Sequence, residues 1–340
     1  MSDLAASVPP AAWTARCWCA PGTRLEPFAH GYARCLDCET VVCTVPPLAS
    51  GDGVVDDASD FYGERYWSSH QTQTCGFPHI EDRARADLPE RCLYWLAELL
   101  RYRVPPGRLL ELGAAHGGFV RLAALAGFES VGVEMSPAVV AESRRRFGVE
   151  MRIGPLESAE LGRRAFDVVA SFDVLEHLRD PEATLRHVRS ILAPDGVLIV
   201  QTPDFPAAAA DRLRAADDRF LEQLKPPEHL FLFSKRSVTE LLRRTGFPHV
   251  AFGQPLFSYD MFFVAGAAPL AEIGREDTAR ALLASPESRI ALALLDLAGD
   301  RDRYQRVAAE RLQVIDALNA ACEERLAVIE RLDRELRGRA

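Results

Sequence analysis

Short apolar runs alternate with helix-like stretches between residues 108 and 201. The runs are four to seven residues long, which is typical of buried strands. They are Leu109–Leu112, Ser130–Val133, Val149–Ile153, Phe166–Phe172 and Val197–Gln201. The stretches between them have helical spacing, and Ser136-Pro137 provides a helix cap and first residue. The alternation predicts an α/β fold with a doubly wound, mostly parallel sheet.

Two further segments flank this alternation. Ile80–Arg103 spaces its apolar residues as an amphipathic helix that ends at Pro105-Pro106-Gly107. Val250–Phe252 and Met261–Ala265 predict a final pair of strands. We place the main domain at residues 61–268.

Residues 269–340 have a different pattern, rich in Ala, Leu, Arg and Glu. The spacing of apolar residues in Arg311–Leu318 recurs fourteen residues later in Arg325–Leu332. Fourteen residues are two heptads, so the same stripe returns to one helix face. This predicts a helical extension with a short coiled coil, hence a homodimer or a partner helix. The alternative is a single helix packed on its own domain.

Two close pairs of cysteines lie near the N-terminus: Cys17 and Cys19, then Cys35 and Cys38. Four thiolates satisfy tetrahedral Zn²⁺ and supply folding energy that a short segment lacks. We therefore predict a structural zinc module and linker at residues 16–60, preceded by a disordered N-terminus at residues 1–15. The first pair is C-x-C rather than C-x-x-C, and Cys43 and His30 are spare candidate ligands. The alternative is four unliganded cysteines in a small β-module.

Four aromatic residues occur within Asp60–Trp67. Such a segment is either a lid over a ligand or an anchor that packs the linker on the core. Tyr66, His70 and His79 would face the acceptor if it is a lid.

Composition limits the class of partner and the compartment. The net charge of −9 does not favour nucleic acid or anionic membranes. The N-terminus lacks the basic and apolar regions of a signal peptide, and the longest apolar stretch, Met261–Ala271, is too short to span a bilayer. We expect a cytoplasmic protein with reduced or metal-bound cysteines.

The glycine-containing loop after the first predicted strand indicates a nucleotide-like ligand. Gly113-x-Ala115-x-x-Gly118, followed by Glu134 after the next strand, nearly fits the dinucleotide pattern. The other interpretation is S-adenosylmethionine: Glu111 would orient its cationic amino-acid end, Gly113 and Gly117 would let the loop curl beneath it, and Glu134 would hold the ribose.

Five motifs in register favour the second interpretation. They are Glu111–Gly117, Val133–Ser136, Phe166–Val169, Asp173–Pro181 and Leu192-x-Pro194-x-Gly196. Together they resemble the motifs of class I S-adenosylmethionine-dependent methyltransferases over residues 80–265. Ala115 departs from the family, which has Gly there. The resemblance implies a Rossmann-like, seven-stranded sheet with a reversed last strand. It also implies that cofactor contacts come from ten residues: Glu111, Gly113, Ala115, Gly117, Glu134, Met135, Leu156, Glu157, Phe172 and Asp173.

The flanking segments are similar to those of a bacterial subgroup that modifies sugars, antibiotic intermediates or surface polysaccharides. This resemblance rests on the cysteine module, the aromatic segment and Pro227–Ser234. It implies an O-methyltransferase acting on a sugar, a glycan or another small-molecule hydroxyl. The alternatives are C-methylation of a deoxysugar or natural-product intermediate, a non-catalytic assembly protein, and an NAD-dependent oxidoreductase.

A hydroxyl acceptor needs a general base, and His is the residue best suited to that role near neutral pH. We predict His229 as this base, with Glu228 and His177 as further catalytic residues. The alternative for His229 is a bond to backbone that holds its loop. Asp173, Glu176 and His177 would share a face of a helical turn and could hold a divalent cation. Their alternative role is structural, with Asp173 capping the turn.

Overall fold

The computed structural model describes residues 15–47, 54, 57, 60–63, 66–74, 78–205 and 220–338. The predicted disordered N-terminus lies outside these ranges except for residue 15, as does part of the predicted linker. The chain forms two compact units, Met1–Ala291 and Leu292–Ala340. The domain boundaries drawn from the sequence at residues 60 and 268 stay predictions.

The described residues include eleven strands in two sheets. They are β1 (Leu25–Pro27), β2 (Tyr32–Cys35), β3 (Val41–Cys43), β4 (Arg108–Leu112), β5 (Glu129–Glu134), β6 (Glu150–Ile153), β7 (Phe166–Phe172), β8 (Leu192–Pro203), β9 (Phe231–Leu232), β10 (His249–Gly253) and β11 (Asp260–Gly266). The larger sheet has the order β10-β11-β8-β7-β4-β5-β6. Its pairs are parallel from β8 to β6, and β11 runs antiparallel to both β8 and β10. The predicted seven-stranded, mostly parallel sheet with a reversed last strand is confirmed.

Eight α-helices lie among these strands in the described residues. They are α1 (Ile80–Asp87), α2 (Leu93–Leu100), α3 (Gly118–Ala126), α4 (Pro137–Phe147), α5 (Pro181–Ile191), α6 (Lys235–Arg244), α7 (Arg275–Leu282) and α8 (Pro286–Arg337). The predicted helix over residues 80–103 is interrupted by a π-helical turn at Leu88–Cys92, and a second π-helical segment covers Tyr66–Thr74. The Ser136 hydroxyl accepts a hydrogen bond from the Val139 N–H, as its predicted role as a cap requires.

The apolar runs are buried because helices cover the central strands of the sheet. Leu109 and Leu110 of β4 and Val168 and Val169 of β7 are fully buried. Parallel strands end at one edge, so the carboxyl ends of β4, β5, β7 and β8 lie next to one another. In open α/β sheets this edge is where ligands bind.

The cysteine module shares its sheet with the main domain. β3 pairs antiparallel with β9, so residues 231–232 provide the fourth strand of the order β1-β2-β3-β9. The Cys43 N–H donates to the Leu230 carbonyl (2.9 Å), and the Tyr32 hydroxyl donates to the His229 carbonyl (2.7 Å). The module is therefore bonded directly to the segment that carries His229.

The second unit is formed by α8, which is 52 residues long in total. Its described side chains from residue 293 onward are largely exposed, including those of Ile315, Leu318 and Ile329. The predicted C-terminal helix is confirmed, and the coiled coil stays a prediction. Among the helices described, none is both long and apolar enough to cross a bilayer.

Candidate functional site

A cleft of about 630 Å³ opens at the carboxyl edge of the large sheet. This volume suits a small-molecule ligand. The cofactor motifs of the sequence form one wall, and Tyr62, Tyr66, Glu176, His177 and His229 line another part. Nine of the ten predicted cofactor residues line the cleft, the exception being Gly117.

The loop between β4 and α3 has the backbone conformation that the glycines predicted. Gly113, Ala115 and Gly117 all have positive φ values, of 70°, 45° and 76°. A Cβ at Gly113 would lie 2.5 Å from Cγ2 of Val174, so a side chain cannot fit there. Ala115 adopts the left-handed conformation although it has a side chain, so the loop keeps this shape without the Gly of the family.

Glu134 holds this loop against the end of β5. Its carboxylate accepts the N–H groups of Met135 (2.8 Å), Ser136 (3.2 Å) and Ala115 (3.1 Å). Burial raises the pKa of Glu134, and the backbone N–H groups act against that shift. The Trp67 side chain also donates to this carboxylate. A carboxylate has about four lone-pair sites, so Glu134 is fully bonded before any ligand binds.

Glu111 is also buried, but its carboxylate has fewer hydrogen-bond partners than that of Glu134. One of its carboxylate oxygens, Oε2, is buried and has no hydrogen-bond partner in the part of the chain that the structure describes. Burial raises the pKa of Glu111 well above its ordinary value, and the nearby charge of Glu134 adds to the shift. A cationic group in the cleft would compensate this carboxylate.

The remaining predicted cofactor contacts differ in exposure. Leu156 is buried, whereas Glu157 is exposed and accepts a hydrogen bond from the Thr184 hydroxyl (2.9 Å). Phe172 stacks on Trp95 with ring centroids 4.0 Å apart, forming an apolar floor.

Asp173 belongs to a polar network that the sequence did not predict. It accepts hydrogen bonds from Arg91 (2.8 Å) and Gln201 (3.0 Å). Arg91 also lies 4.0 Å from Asp87, so it joins two carboxylates beside the cleft. Arg91 could have been noticed in the sequence, because it is a charged residue next to the apolar-face residue Cys92 of an amphipathic segment. Gln201 carried no such signal, because it is simply the last residue of the predicted run Val197–Gln201.

The predicted acceptor residues come together in a different combination from the one expected. Glu176, His177 and His229 each place a potential ligand atom within 4.8 Å of the others. Asp173, which the sequence grouped with Glu176 and His177, is not part of this cluster. Glu176 is buried and accepts a hydrogen bond from the Thr202 hydroxyl (2.9 Å).

Both histidine rings are fixed by backbone carbonyls. Nδ1 of His177 bonds the Glu228 carbonyl (3.0 Å), and Nδ1 of His229 bonds the Gln223 carbonyl (2.8 Å). Because a carbonyl only accepts, each Nδ1 carries the proton and each Nε2 has a lone pair. Burial lowers the pKa of His177 and lowers that of His229 further, so both rings are neutral at physiological pH.

Glu228 faces the aromatic segment rather than the histidine pair. Its carboxylate lies 2.7 Å from Nε2 of His70. The His70 ring stacks on Tyr66, and Tyr62 packs edge-on against His177. The segment thus lines the cleft, and its role as a lid stays a prediction. The sequence did not single out Tyr62, although it lies among the four aromatics.

The four predicted zinc ligands form a second cluster. Sγ of Cys17 lies 3.4 Å from Sγ of Cys38, and Sγ of Cys19 lies 3.6 Å from that of Cys35. All four lie within 4.8 Å of one another. Tetrahedral zinc with Zn–S bonds of about 2.3 Å separates its sulfurs by about 3.8 Å, so the cluster fits the ion. Cys43 lies outside it and donates to the Val45 carbonyl.

Comparisons with known proteins agree with this geometry. Residues 84–251 match the family model described as a methyltransferase domain. A Mycolicibacterium smegmatis protein named "Probable S-adenosylmethionine-dependent methyltransferase" is 28% identical over 223 residues, which cover 65% of this chain and 78% of that protein. The ubiquinone biosynthesis O-methyltransferase of Xanthomonas campestris is 28% identical over 171 residues, covering 46% and 71%. A solved methyltransferase structure from Mesorhizobium loti matches with a TM-score of 0.41 and 16% identity, covering 52% of this chain and 99% of that one.

The fold, the cleft and the matched region define a methyltransferase domain. The chain is an S-adenosylmethionine-dependent methyltransferase. The oxidoreductase and the non-catalytic assembly protein are left without support.

Proposed function

We propose that this enzyme transfers a methyl group to a hydroxyl oxygen of a small molecule, such as a sugar or a glycan. The observation that carries the proposal is the pair of neutral histidines, His177 and His229, which line the cleft with Nδ1 tied to backbone. Each ring is fixed in the tautomer whose Nε2 can accept a proton. Ubiquinone biosynthesis O-methyltransferases among the relatives also support oxygen as the acceptor atom.

The cofactor would lie along the wall formed by Glu111, the loop at Gly113–Gly117 and Glu134. When bound, S-adenosylmethionine supplies an electrophilic methyl group. Glu111 would face its cationic end, because one carboxylate oxygen lacks a partner in the described protein. Glu134 would accept a ribose hydroxyl in place of the Trp67 side chain, while Met135 and Leu156 would line the adenosine side.

The acceptor would enter beside Tyr62, Tyr66 and His70 on the aromatic segment. His229 would take the hydroxyl proton at Nε2 as the acceptor oxygen takes the methyl group, and S-adenosylhomocysteine would be the leaving group. His177 contacts the His229 ring edge-on at 4.8 Å and would help to hold it. Glu228, bonded to His70, would keep the aromatic segment closed over the acceptor.

As an alternative to the histidine base, Glu176, His177 and His229 would hold a divalent cation, because Nε2 of His229 cannot bind an ion and take a proton at once. Two imidazoles and one carboxylate are a common donor set for such ions. A bound ion would lower the pKa of an acceptor hydroxyl. The histidines are available as ligands because their Nδ1 atoms, and not their Nε2 atoms, bond to backbone.

The test is turnover with labelled S-adenosylmethionine and a panel of sugars, glycans and phenols, with products identified by mass spectrometry and NMR. We expect O-methyl products and loss of the hydroxyl proton signal. A new carbon–carbon bond in the product would overturn O-methylation and favour the C-methylation alternative. Full activity in chelator-treated enzyme would exclude the cation while leaving the histidine base in place.

A further inference from the structure

The exposed apolar stripe of α8 has a symmetric sequence. Seven of its residues read the same in both directions around Cys322: Leu312, Ile315, Leu318, Cys322, Leu326, Ile329 and Leu332. Ala308 and Leu336 extend the stripe at equal distances on either side. Leu312, Ile315, Leu318, Leu326, Ile329 and Leu332 are between 48% and 61% exposed, which is high for such residues.

The spacing of the stripe matches a coiled-coil seam. The eight steps from Ala308 to Leu336 cover 28 residues, so the mean step is 3.5 residues. A period of 3.5 keeps a stripe facing a partner helix along its length. From Leu312 to Leu332 the stripe is about 30 Å long, at a rise of about 1.5 Å per residue.

The charged residues beside the stripe distinguish the two orientations of a second copy. Arg311 and Arg325 fall on the same flank as Leu318 and Leu332, at positions seven residues apart. In a parallel dimer in register, Arg311 would lie beside the partner's Arg311, and Arg325 would lie beside the partner's Arg325. Like charges at a seam oppose association.

An antiparallel arrangement removes this conflict. If a two-fold axis passes at Cys322, each residue lies level with the one equally far on the other side. Ile315 then meets Ile329 of the partner subunit, and Leu318 meets the partner's Leu326. Arg311 lies level with the partner's Asp333, and Arg325 lies level with the partner's Asn319.

We propose that α8 joins two copies of this chain as an antiparallel coiled coil with its two-fold axis at Cys322. The partner is a second copy because the stripe of α8 is its own mirror image and Asp333 falls opposite Arg311 in that arrangement. The proposal does not depend on the methyl acceptor or on the cation.

Engineered disulfides test the orientation in the full-length protein. Two variants are made in a Cys322→Ser background, one with Ile315→Cys and the other with Ile329→Cys, and each carries a different tag. The variants are oxidised mildly, alone and mixed. We expect a cross-link only when the two variants are mixed, because residue 315 meets residue 329 of the other copy. Cross-linking of either variant alone would overturn the antiparallel arrangement, and the Cys322→Ser protein without an added cysteine gives the background.

Charge reversal gives an independent test by sedimentation. We expect Arg311→Asp to raise the dimer dissociation constant by roughly three- to tenfold, because it places Asp beside Asp333, and Arg311→Asp with Asp333→Arg to restore it within about twofold. An unchanged dissociation constant for Arg311→Asp, which a parallel pair would give because Asp would face Asp where Arg faced Arg, would overturn the proposal.

Disruption of the stripe tests whether the helix forms the dimer at all. Leu318→Asp should yield monomers, whereas Ala320→Asp, which adds the same charge on the opposite face of α8, should leave the dimer intact. Circular dichroism checks that both variants keep their helix content. A wild-type chain that sediments as a 37.6 kDa monomer at tens of micromolar would contradict the proposal.

Discussion

Glu111 and Glu134 lie on one wall of the cleft, and the environment of each carboxylate assigns it a different task. Glu134 is bonded by three backbone N–H groups, so it organises the loop even without ligand. Glu111 has a buried oxygen without a partner in the described protein. A buried group of this kind costs stability in the empty enzyme and gains most from a cationic ligand.

Replacing Glu111 separates these two effects. We expect Glu111→Gln to weaken binding of S-adenosylhomocysteine by about tenfold or more, since an ion pair is lost. The empty variant should be as stable as the wild type or more stable by about 1–2 kcal/mol, because burial disfavours the charged form. Calorimetric titration and thermal unfolding measure the two quantities.

Glu134→Gln is the matched control for that experiment. An amide nitrogen at this position would face a backbone N–H, so stability and binding should both fall. Equal loss of stability in both variants would contradict the distinction between the two carboxylates.

The histidine pair predicts a pH profile. The pKa values of His177 and His229 are lowered by burial, so both rings stay unprotonated until the pH falls below about 6.5. We expect kcat/KM to be constant through neutral pH and to fall only under more acidic conditions.

His229→Asn should lower kcat by about 100-fold or more while keeping the bond to the Gln223 carbonyl, because Asn replaces Nδ1 but not Nε2.

The loss of activity in acid must be distinguished from acid unfolding of the protein. The unfolded chain takes up protons that the buried histidines cannot, so stability also falls as the pH drops below about 6.5. Circular dichroism at each pH identifies that contribution. An unchanged kcat for His229→Asn would remove this residue as the base.

At the scale of elements, the order of strands and helices followed from the sequence, while the contacts between distant loops did not. Apolar runs and helix caps are local signals, and the Ser136 cap appears as predicted. Arg91 and Asp173 are 82 residues apart, and Tyr32 and His229 are 197 apart. Such pairs depend on how finished elements pack, which periodicity does not encode. The cysteine spacing was informative because metal ligands must converge.

The cysteine module predicts its own metal content. We expect about one zinc per chain and a loss of stability of several kcal/mol when zinc is removed, because so small a sheet has little core of its own. Cys35→Ser should lose the metal. Cys43→Ser should retain it, because Cys43 is equally buried but lies outside the cluster. Elemental analysis of the purified variants measures this, and zinc-free wild-type protein would refute the module's proposed role.

At the scale of the whole molecule, the site is assembled from segments far apart in the chain. The cofactor wall comes from β4 and β5, the histidine pair from the loops after β7 and before β9, and the aromatic cover from residues 62–74. Ligand binding should therefore change the dynamics of segments well beyond the glycine loop.

Hydrogen–deuterium exchange can follow this coupling. We expect S-adenosylhomocysteine to slow exchange at residues 111–118 and 133–136, which form its wall. An acceptor added afterwards should slow exchange at residues 66–74 and 223–232. Residues 300–337 should not respond to either ligand. Protection confined to the glycine loop in the presence of both ligands would contradict the proposed role of the aromatic segment.

The shared sheet has a consequence for evolution and for engineering. β3 is hydrogen-bonded to β9, so deletion of residues 15–47 would remove the strand that pairs with β9. The backbone N–H and C=O groups of β9, close to His229 in the chain, would then be left unpaired. Uncovered edges invite pairing between molecules, so the truncated protein should aggregate rather than survive as a smaller enzyme. The module and the acceptor loop are therefore expected to be inherited together, and a graft of one onto another methyltransferase would have to carry both.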